Sequence, residues 1–320
     1  MNQTTPIHAG IVEVCHFPLR HNAAMPELPE VEVTRLGLAP ALTGACVNAL
    51  RLGKPLRWPL NIDPAALAGL RIVALQRRGK YLLLRMARAT PDAQAPDQDI
   101  AGVLIVHLGM SGSLRWTPGA QPPGPLSPHD HVEWQTDRGV LRLRDPRRFG
   151  AVLWHAGDAV HGHVLLRNLG PEPLSADFDG AALFRALRGR HAAIKPLLLS
   201  QRIVAGVGNI YACEALFHAR IDPRTPAAHL RPADCERLAA ALRETLSQAV
   251  ALGGSSLRDF AHSDGELGYF QLQAWVYGRA GLPCRHCATP IQQIVQGQRS
   301  TFFCPKCQKI LKAKSRTGIR

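Results

Sequence analysis

Four of the eight cysteines, Cys284, Cys287, Cys304 and Cys307, stand as C-x2-C-x16-C-x2-C in the last part of the 320-residue chain. Each pair sits on a tight turn that lets two thiolates converge, and two such turns make a tetrahedral sulfur cage for zinc. Between them, TPIQQIVQGQRSTFF has strand-forming stretches about the turn Gln296-Gly297, so a β-hairpin finger is expected. With all four positions filled by protein, one Zn2+ would be structural and would offer substrate no open site. The alternative is a pair of disulfides; nothing resembles a secretory signal, and a reducing compartment favours metal. The scattered Cys15, Cys46, Cys213 and Cys235 read as buried or incidental thiols.

A second group is AGVGNIYACEALFHARI at 205–221, where Gly206 and Gly208 precede Asn209 at a helix start. Glycines there let backbone N–H groups approach an anion, and the helix terminus adds partial positive charge. The segment reads either as a phosphate-binding turn or as a plain connection between helices. A dinucleotide fingerprint is a weak alternative, because the third glycine and a surrounding βαβ unit are both missing. Met110 in HLGMSGSLRW and Phe149 after Arg147 and Arg148 are, taken singly, ordinary core side chains. Together on loops of a basic domain they also suit insertion into a base stack.

Charge narrows the partner. Lys and Arg number 38 against 24 Asp and Glu, for a formal net charge of +14. No acidic residue follows Glu266, while Arg279, Arg285, Arg299, Lys306, Lys309, Lys312, Lys314, Arg316 and Arg320 do. A second basic stretch runs from Arg138 to Arg148. Such clustering is what tracking a phosphate backbone needs. Nucleic acid is the first candidate and an anionic membrane surface the second. No apolar run approaches the roughly 20 residues of a membrane span, so a soluble protein without a membrane partner is expected.

The elements that would position these residues follow from periodicity. Leu28, Val31, Leu38 and Leu42 fall at helical spacing before Gly44. Strand-like segments cover 71–75, 80–86, 102–108, 131–136, 139–145 and 151–155, with Leu141 and Leu143 alternating against Arg142 and Arg144. The Pro-rich stretches 90–99 and 117–128 read as exposed hairpin ends. From about 180 the pattern is helical, most clearly from about Asp234 through Leu238, Leu242, Leu246 and Val250. The expected fold is α+β and multi-domain. It comprises an N-terminal extension (1–25), a β-sandwich with a flanking helix (26–155), a hinge (156–173), a helical domain (174–279) and a zinc finger with a basic tail (280–320).

MPELPEVE at 25–32, QRRGKYLLL at 76–84, HLGMSGSL at 107–114, DPRRFGA at 145–151, LGPEPL at 169–174, GVGNIYACEALF at 206–217 and the four-cysteine finger together resemble the formamidopyrimidine-DNA glycosylase family. The resemblance runs nearly end to end from Met25. It implies a β-sandwich, a helix–two-turn–helix domain and a zinc finger closing around double-stranded DNA that contains oxidised bases. It also implies base-excision repair of 8-oxoguanine and formamidopyrimidines by a glycosylase and AP lyase. Carried over by residue, Pro26 is the nucleophile that forms a Schiff base, Glu27 the acid/base carboxylate, and Lys80 a contact to the lesion's phosphates. Glu30 supports the same pocket, and Lys195 matches a lysine tied to oxidised-purine processing. Met110, Arg147 and Phe149 match the residues that fill the void left by an extruded base, Arg147 bonding the orphaned cytosine and Met110 and Phe149 wedging the stack. Asn209, Arg299 and, less directly, Arg148 and Tyr211 match phosphate contacts, and 263–270 matches a segment closing over the flipped base.

One departure concerns the start. Pro26 inside a peptide bond has no amine to attack with, so residues 1–24 are expected to be untranslated or removed, leaving Met25 to be cleaved from Pro26. A chain that retained them would be a lesion-binding protein without catalysis. An endonuclease VIII-type enzyme for oxidised pyrimidines is the nearest alternative within the superfamily. A sequence-specific regulator is disfavoured, since no recognition helix lies between the cysteine pairs. A monomer in the bacterial cytoplasm, associated with the nucleoid through DNA, completes the expectation.

Overall fold

The computed structural model describes residues 25–88, 99–119, 124–253 and 273–313. Residues 1–24, the segment 263–270, and Lys314, Arg316 and Arg320 lie outside these described residues, as do parts of both Pro-rich stretches. The chain enters on α1 (Leu28–Leu42), which buries Leu28, Val31, Leu38 and Leu42. Its first turn is closed by the Glu27 N–H, which donates to Glu30 Oε2 at 2.9 Å.

Eight strands follow: β1 (Val47–Leu52), β2 (Leu70–Arg78), β3 (Tyr81–Arg88), β4 (Ile100–His107), β5 (Ser113–Pro118), β6 (Asp130–Thr136), β7 (Gly139–Arg144) and β8 (Ala151–Ala156). They form two antiparallel sheets, ordered β1-β6-β7-β5 and β2-β3-β4-β8. Trp134, Leu141 and Leu143 of the first face Leu84, Leu104 and Val106 of the second in one core that also takes up α1. The second sheet is covered on its other face too, where Leu83, Val103, Ile105 and Leu153 meet Val160 and Leu166 of the connector. That double covering is why Leu82–Leu84 of β3 and Val103–Val106 of β4 are continuous apolar runs while β7 alternates. Periodicity reveals six of the eight strands. It passes over β1 and β5, the two edges of their sheet, where half-exposed positions blur the alternation.

The helical part contains α2 (Gly180–Leu187), α3 (Ile194–Leu199), α4 (Asn209–His218) and α5 (Pro232–Ala251) around a core of its own. Helix α5 starts two residues before Asp234. Pro232 suits a first helical turn, and Asp234 Oδ2 caps the Arg231 N–H at 2.9 Å. Strands β9 (Gln292–Gln296) and β10 (Arg299–Phe303) make the finger hairpin. Its turn is Gly297-Gln298, one residue beyond the expected pair, with φ of 54° and 61° as a two-residue hairpin turn requires. Cys213 and Phe217 of α4 pack with Val276, Ile291 and Phe302, so the finger rides on α4. Among the described residues no helix is long and apolar enough to cross a membrane.

Candidate active site

Helix α4 points its N-terminus at the residue after the proline. Glu27 is 3% exposed, and its Oε1 accepts the Ile210 N–H at 3.1 Å. The carboxyl fits there because residue 208 has no side chain: a Cβ at Gly208 would overlap the Glu27 carboxylate. The Leu28 N–H donates to the Gly206 carbonyl at 3.1 Å and completes the clasp. So the glycines do bring a helix terminus to an anion, but the anion is the chain's own carboxylate. Glu30 is engaged as well, accepting the Tyr211 hydroxyl at 2.6 Å in addition to the Glu27 N–H.

Burial, opposed by Lys80 and reinforced by Glu30, pushes the Glu27 carboxyl up to about 7. Its Oε2 has no hydrogen-bond partner among the described residues. A carboxyl poised near neutrality with one uncommitted oxygen is suited to pass a proton in either direction. The shift also bears on stability. The folded protein holds this proton more tightly than the unfolded chain, so stability present below pH 4.5 is lost as pH rises through about 7. Glu27→Gln should therefore lose less stability than the parent between pH 5 and pH 8, by on the order of 3 kcal/mol. Urea unfolding at both pH values measures this, and parallel losses would count against it.

Lys80, at the β2–β3 turn, is drawn below the usual lysine range by burial, against the pull of Glu27 and Glu30. Arg299, exposed at the start of β10, adds repulsion, so the sandwich and the finger face each other electrostatically across this pocket. His107, which sequence reasoning passed over, ends β4 beside Lys80. Burial and then Lys80 push its imidazole down to about 4, and its Nδ1 accepts the Gly109 N–H at 3.0 Å. The one sequence signal was a polar residue closing an apolar strand.

Two expected residues lie deeper than a direct role on DNA would suggest. Tyr211 is fully buried, its hydroxyl committed to Glu30. Lys195 is fully buried at the seam between α3, α4 and the finger, where Nζ donates to Asn209 Oδ1 (2.6 Å), Thr301 Oγ1 (2.7 Å) and the Ser300 carbonyl (3.2 Å). Asn209 Nδ2 donates to the same carbonyl at 2.9 Å. Both residues therefore support their neighbours in this conformation.

Met110, Arg147 and Phe149 come together on two touching loops. A Cβ at Gly109 would lie 2.6 Å from the Phe149 carbonyl carbon and the Gly150 nitrogen, so the Met110 turn abuts the Phe149 backbone only as glycine. Ser111 Oγ donates to Asp145 Oδ1 at 2.6 Å and ties the loops together. Phe149 is 39% exposed with the Arg147 guanidinium 5.1 Å from its ring centroid, which removes the core reading. Arg148 is exposed beside them.

These parts match known proteins in order. The formamidopyrimidine-DNA glycosylase N-terminal domain matches residues 25–152, its H2TH domain residues 169–261, and a zinc finger found in this glycosylase and in isoleucyl-tRNA synthetase residues 281–310. The chain belongs to the formamidopyrimidine-DNA glycosylase family. It is 55% identical over 294 residues to the formamidopyrimidine-DNA glycosylase of Ralstonia pickettii, covering 89% of this chain and 100% of that one. The Acidovorax protein of the same name is 52% identical over 286 residues, with the same coverage. Among solved structures, the Thermus thermophilus protein is 41% identical with a TM-score of 0.74, covering 88% of this chain and 98% of that one. The Lactococcus lactis glycosylase bound to abasic-site DNA is 33% identical with a TM-score of 0.74, covering 88% of this chain and 99% of that one.

The finger of this formamidopyrimidine-DNA glycosylase relative fits one zinc ion. The four Sγ atoms of Cys284, Cys287, Cys304 and Cys307 lie within 4.8 Å of one another, with Cys284–Cys307 at 3.9 Å and Cys287–Cys304 at 3.5 Å. Tetrahedral Zn–S bonds of about 2.3 Å set sulfurs about 3.8 Å apart. The cage braces the hairpin that carries Arg299, and Glu214 braces its approach by accepting the N–H groups of Trp275, Val276 and Tyr277 at 2.8–3.0 Å. Cys304→Ser should lose the metal and bind abasic-site DNA at least about tenfold more weakly. Metal analysis beside a binding titration checks this; wild-type affinity in the metal-free variant would refute the finger's role.

Proposed function

We propose that this chain is a base-excision-repair DNA glycosylase and AP lyase that removes oxidised purines from double-stranded DNA, with Pro26 as nucleophile. What carries this reading is Glu27, a buried carboxyl titrating near 7 on the residue that follows the proline, with Lys80 beside it. A free terminal proline is a secondary amine titrating near roughly 8, so much of it holds a lone pair at neutral pH. Its nitrogen bonds to C1′ of the deoxyribose, the glycosidic bond breaks, and the base departs with a proton. The sugar opens to an iminium cation, which acidifies the neighbouring carbon, and both flanking phosphates leave by successive β- and δ-elimination. Glu27 is the group placed to exchange protons with the sugar, and Lys80, Asn209, Arg299 and Arg148 hold the backbone. Met110, Arg147 and Phe149 occupy the gap the extruded base leaves.

The family match beginning at residue 25 supports Pro26 as the working terminus, with residues 1–24 outside the active form. Solved relatives bound to DNA containing an abasic site, Fapy-dG or carbocyclic 8-oxoguanine support the substrate class. In this reading the chain acts as a monomer, in the cytoplasm, on nucleoid DNA. Excision from duplexes carrying 8-oxoguanine or thymine glycol tests the reading. Faster release of 8-oxoguanine is expected, and preference for thymine glycol would transfer the chain to the pyrimidine-specific branch.

A further inference from the structure

The turn that presents Arg147 and Phe149 is held from below by a histidine outside every motif above. His131, on β6, is 2% exposed. Its Nδ1 lies 2.7 Å from the Lys54 carbonyl oxygen and its Nε2 2.9 Å from the Asp145 carbonyl oxygen. Carbonyl oxygens only accept, so both ring nitrogens must donate. Neutral imidazole carries one N–H; only the doubly protonated ring carries two. With a neutral ring, one contact would set a nitrogen lone pair against an oxygen lone pair in a buried place.

What the ring joins gives this its meaning. Asp145 opens the turn, and its carboxylate, fully buried, accepts from Ser111 Oγ, the Arg147 N–H (3.2 Å) and the Gly150 N–H (2.7 Å). Lys54 belongs to the loop after β1, whose Arg57 N–H donates to the Arg148 carbonyl at 2.9 Å. Arg148 sits at φ 58°, a left-handed conformation a side chain adopts only when its surroundings enforce it. The turn is thus pinned at residue 145 by His131 and at residue 148 by Arg57. The charged residues next to it are Lys54 and Asp145, whose carbonyls it binds, and Asp130 and Arg144, which stand opposite each other in the β6–β7 register with their side chains on Ser127.

We propose that His131, protonated on both ring nitrogens, is a positioning residue for the void-filling side chains. It fixes where Arg147 meets the orphaned base. This rests on the void-filling reading of Arg147 and Phe149, and the test separates the two.

Long-range 1H–15N correlation on the histidine-labelled protein at neutral pH should find both His131 nitrogens protonated; one protonated nitrogen would overturn the proposal. His131→Gln carries both of its N–H groups on one nitrogen, where the ring presents one from each of two nitrogens to two separate carbonyls. Its preference for 8-oxoguanine opposite cytosine over 8-oxoguanine opposite adenine should fall about tenfold. A fold merely loosened would slow both substrates alike and leave the ratio in place, which would also overturn the proposal. Arg147→Ala is the reference: if it keeps the preference, the void-filling reading itself fails. If Arg147→Ala loses the preference and folded His131→Gln retains it, only the inference about His131 fails.

Discussion

The chain beginning at Pro26 should be trapped covalently on an 8-oxoguanine duplex by borohydride, and the chain that keeps residues 1–25 should not. This is the largest difference expected, because it turns on whether the nucleophile exists. Within the Met25–Pro26 peptide bond the proline nitrogen shares its lone pair with a carbonyl and cannot attack. Released, it is a secondary amine, and its adduct with the sugar carbon is an obligatory cation that hydride can reduce. In the same shortened chain, Pro26→Gly exchanges it for a primary amine. The imine it forms can shed its proton and stop drawing electrons, and a terminal glycine is not held in place by a ring. Single-turnover excision and trapping should fall on the order of 100-fold or more, with abasic-site binding kept within a few-fold. Intact mass of protein made from its own gene gives the natural terminus. Undiminished excision by Pro26→Gly, or trapping by a chain that retains residues 1–25, would remove Pro26 from the mechanism.

Gly208→Ala is expected to be nearly as damaging while adding only a methyl group. The new Cβ would stand where the Glu27 carboxylate is, so either the carboxylate leaves the pocket or α4 withdraws. Both break the bond from the Ile210 N–H and expose Glu27 to water. Excision should fall on the order of 10²–10³-fold, as when a positioned acid/base is lost. A second readout distinguishes this from general damage. Glu27 titrates near 7 because it is buried, so a displaced carboxyl returns toward the ordinary range and the acid limb of the pH–rate profile moves to lower pH. Zinc content should be unchanged, since the cysteine cage is built beyond α4. A normal rate with a limb still near 7 would show that the pocket tolerates a side chain at 208.

The zinc cage could be read from the chain almost completely, because its ligands lie close together in two matching turns and thiolate chemistry leaves few alternatives. The sandwich strands could be read where one face is buried, as in Leu141 and Leu143 against Arg142 and Arg144. They faded at the sheet edges. Met110 and Phe149 could be read only through the family's motifs. A methionine after a strand and a phenylalanine after two arginines are ordinary core residues until their exposure is known, and exposure is a property of the folded surface.

Gly206 and Gly208 show the limit most clearly. Their spacing announced a helix terminus open to an anion. It could not announce that the anion is Glu27, more than 180 positions earlier in the chain. By itself the sequence determined local chemistry: the four-thiolate cage, the helix start at Asn209, the alternation of β7, the basic charge that selects a polyanion. The tertiary structure alone decided which groups share a low-dielectric space, and that sharing sets their properties. It raised Glu27 toward neutrality, lowered Lys80, buried Lys195 and Tyr211 as supports, and placed His131 between two carbonyls. Desolvation and hydrogen-bond inventory depend on what surrounds an atom in space, and no spacing along the chain encodes them.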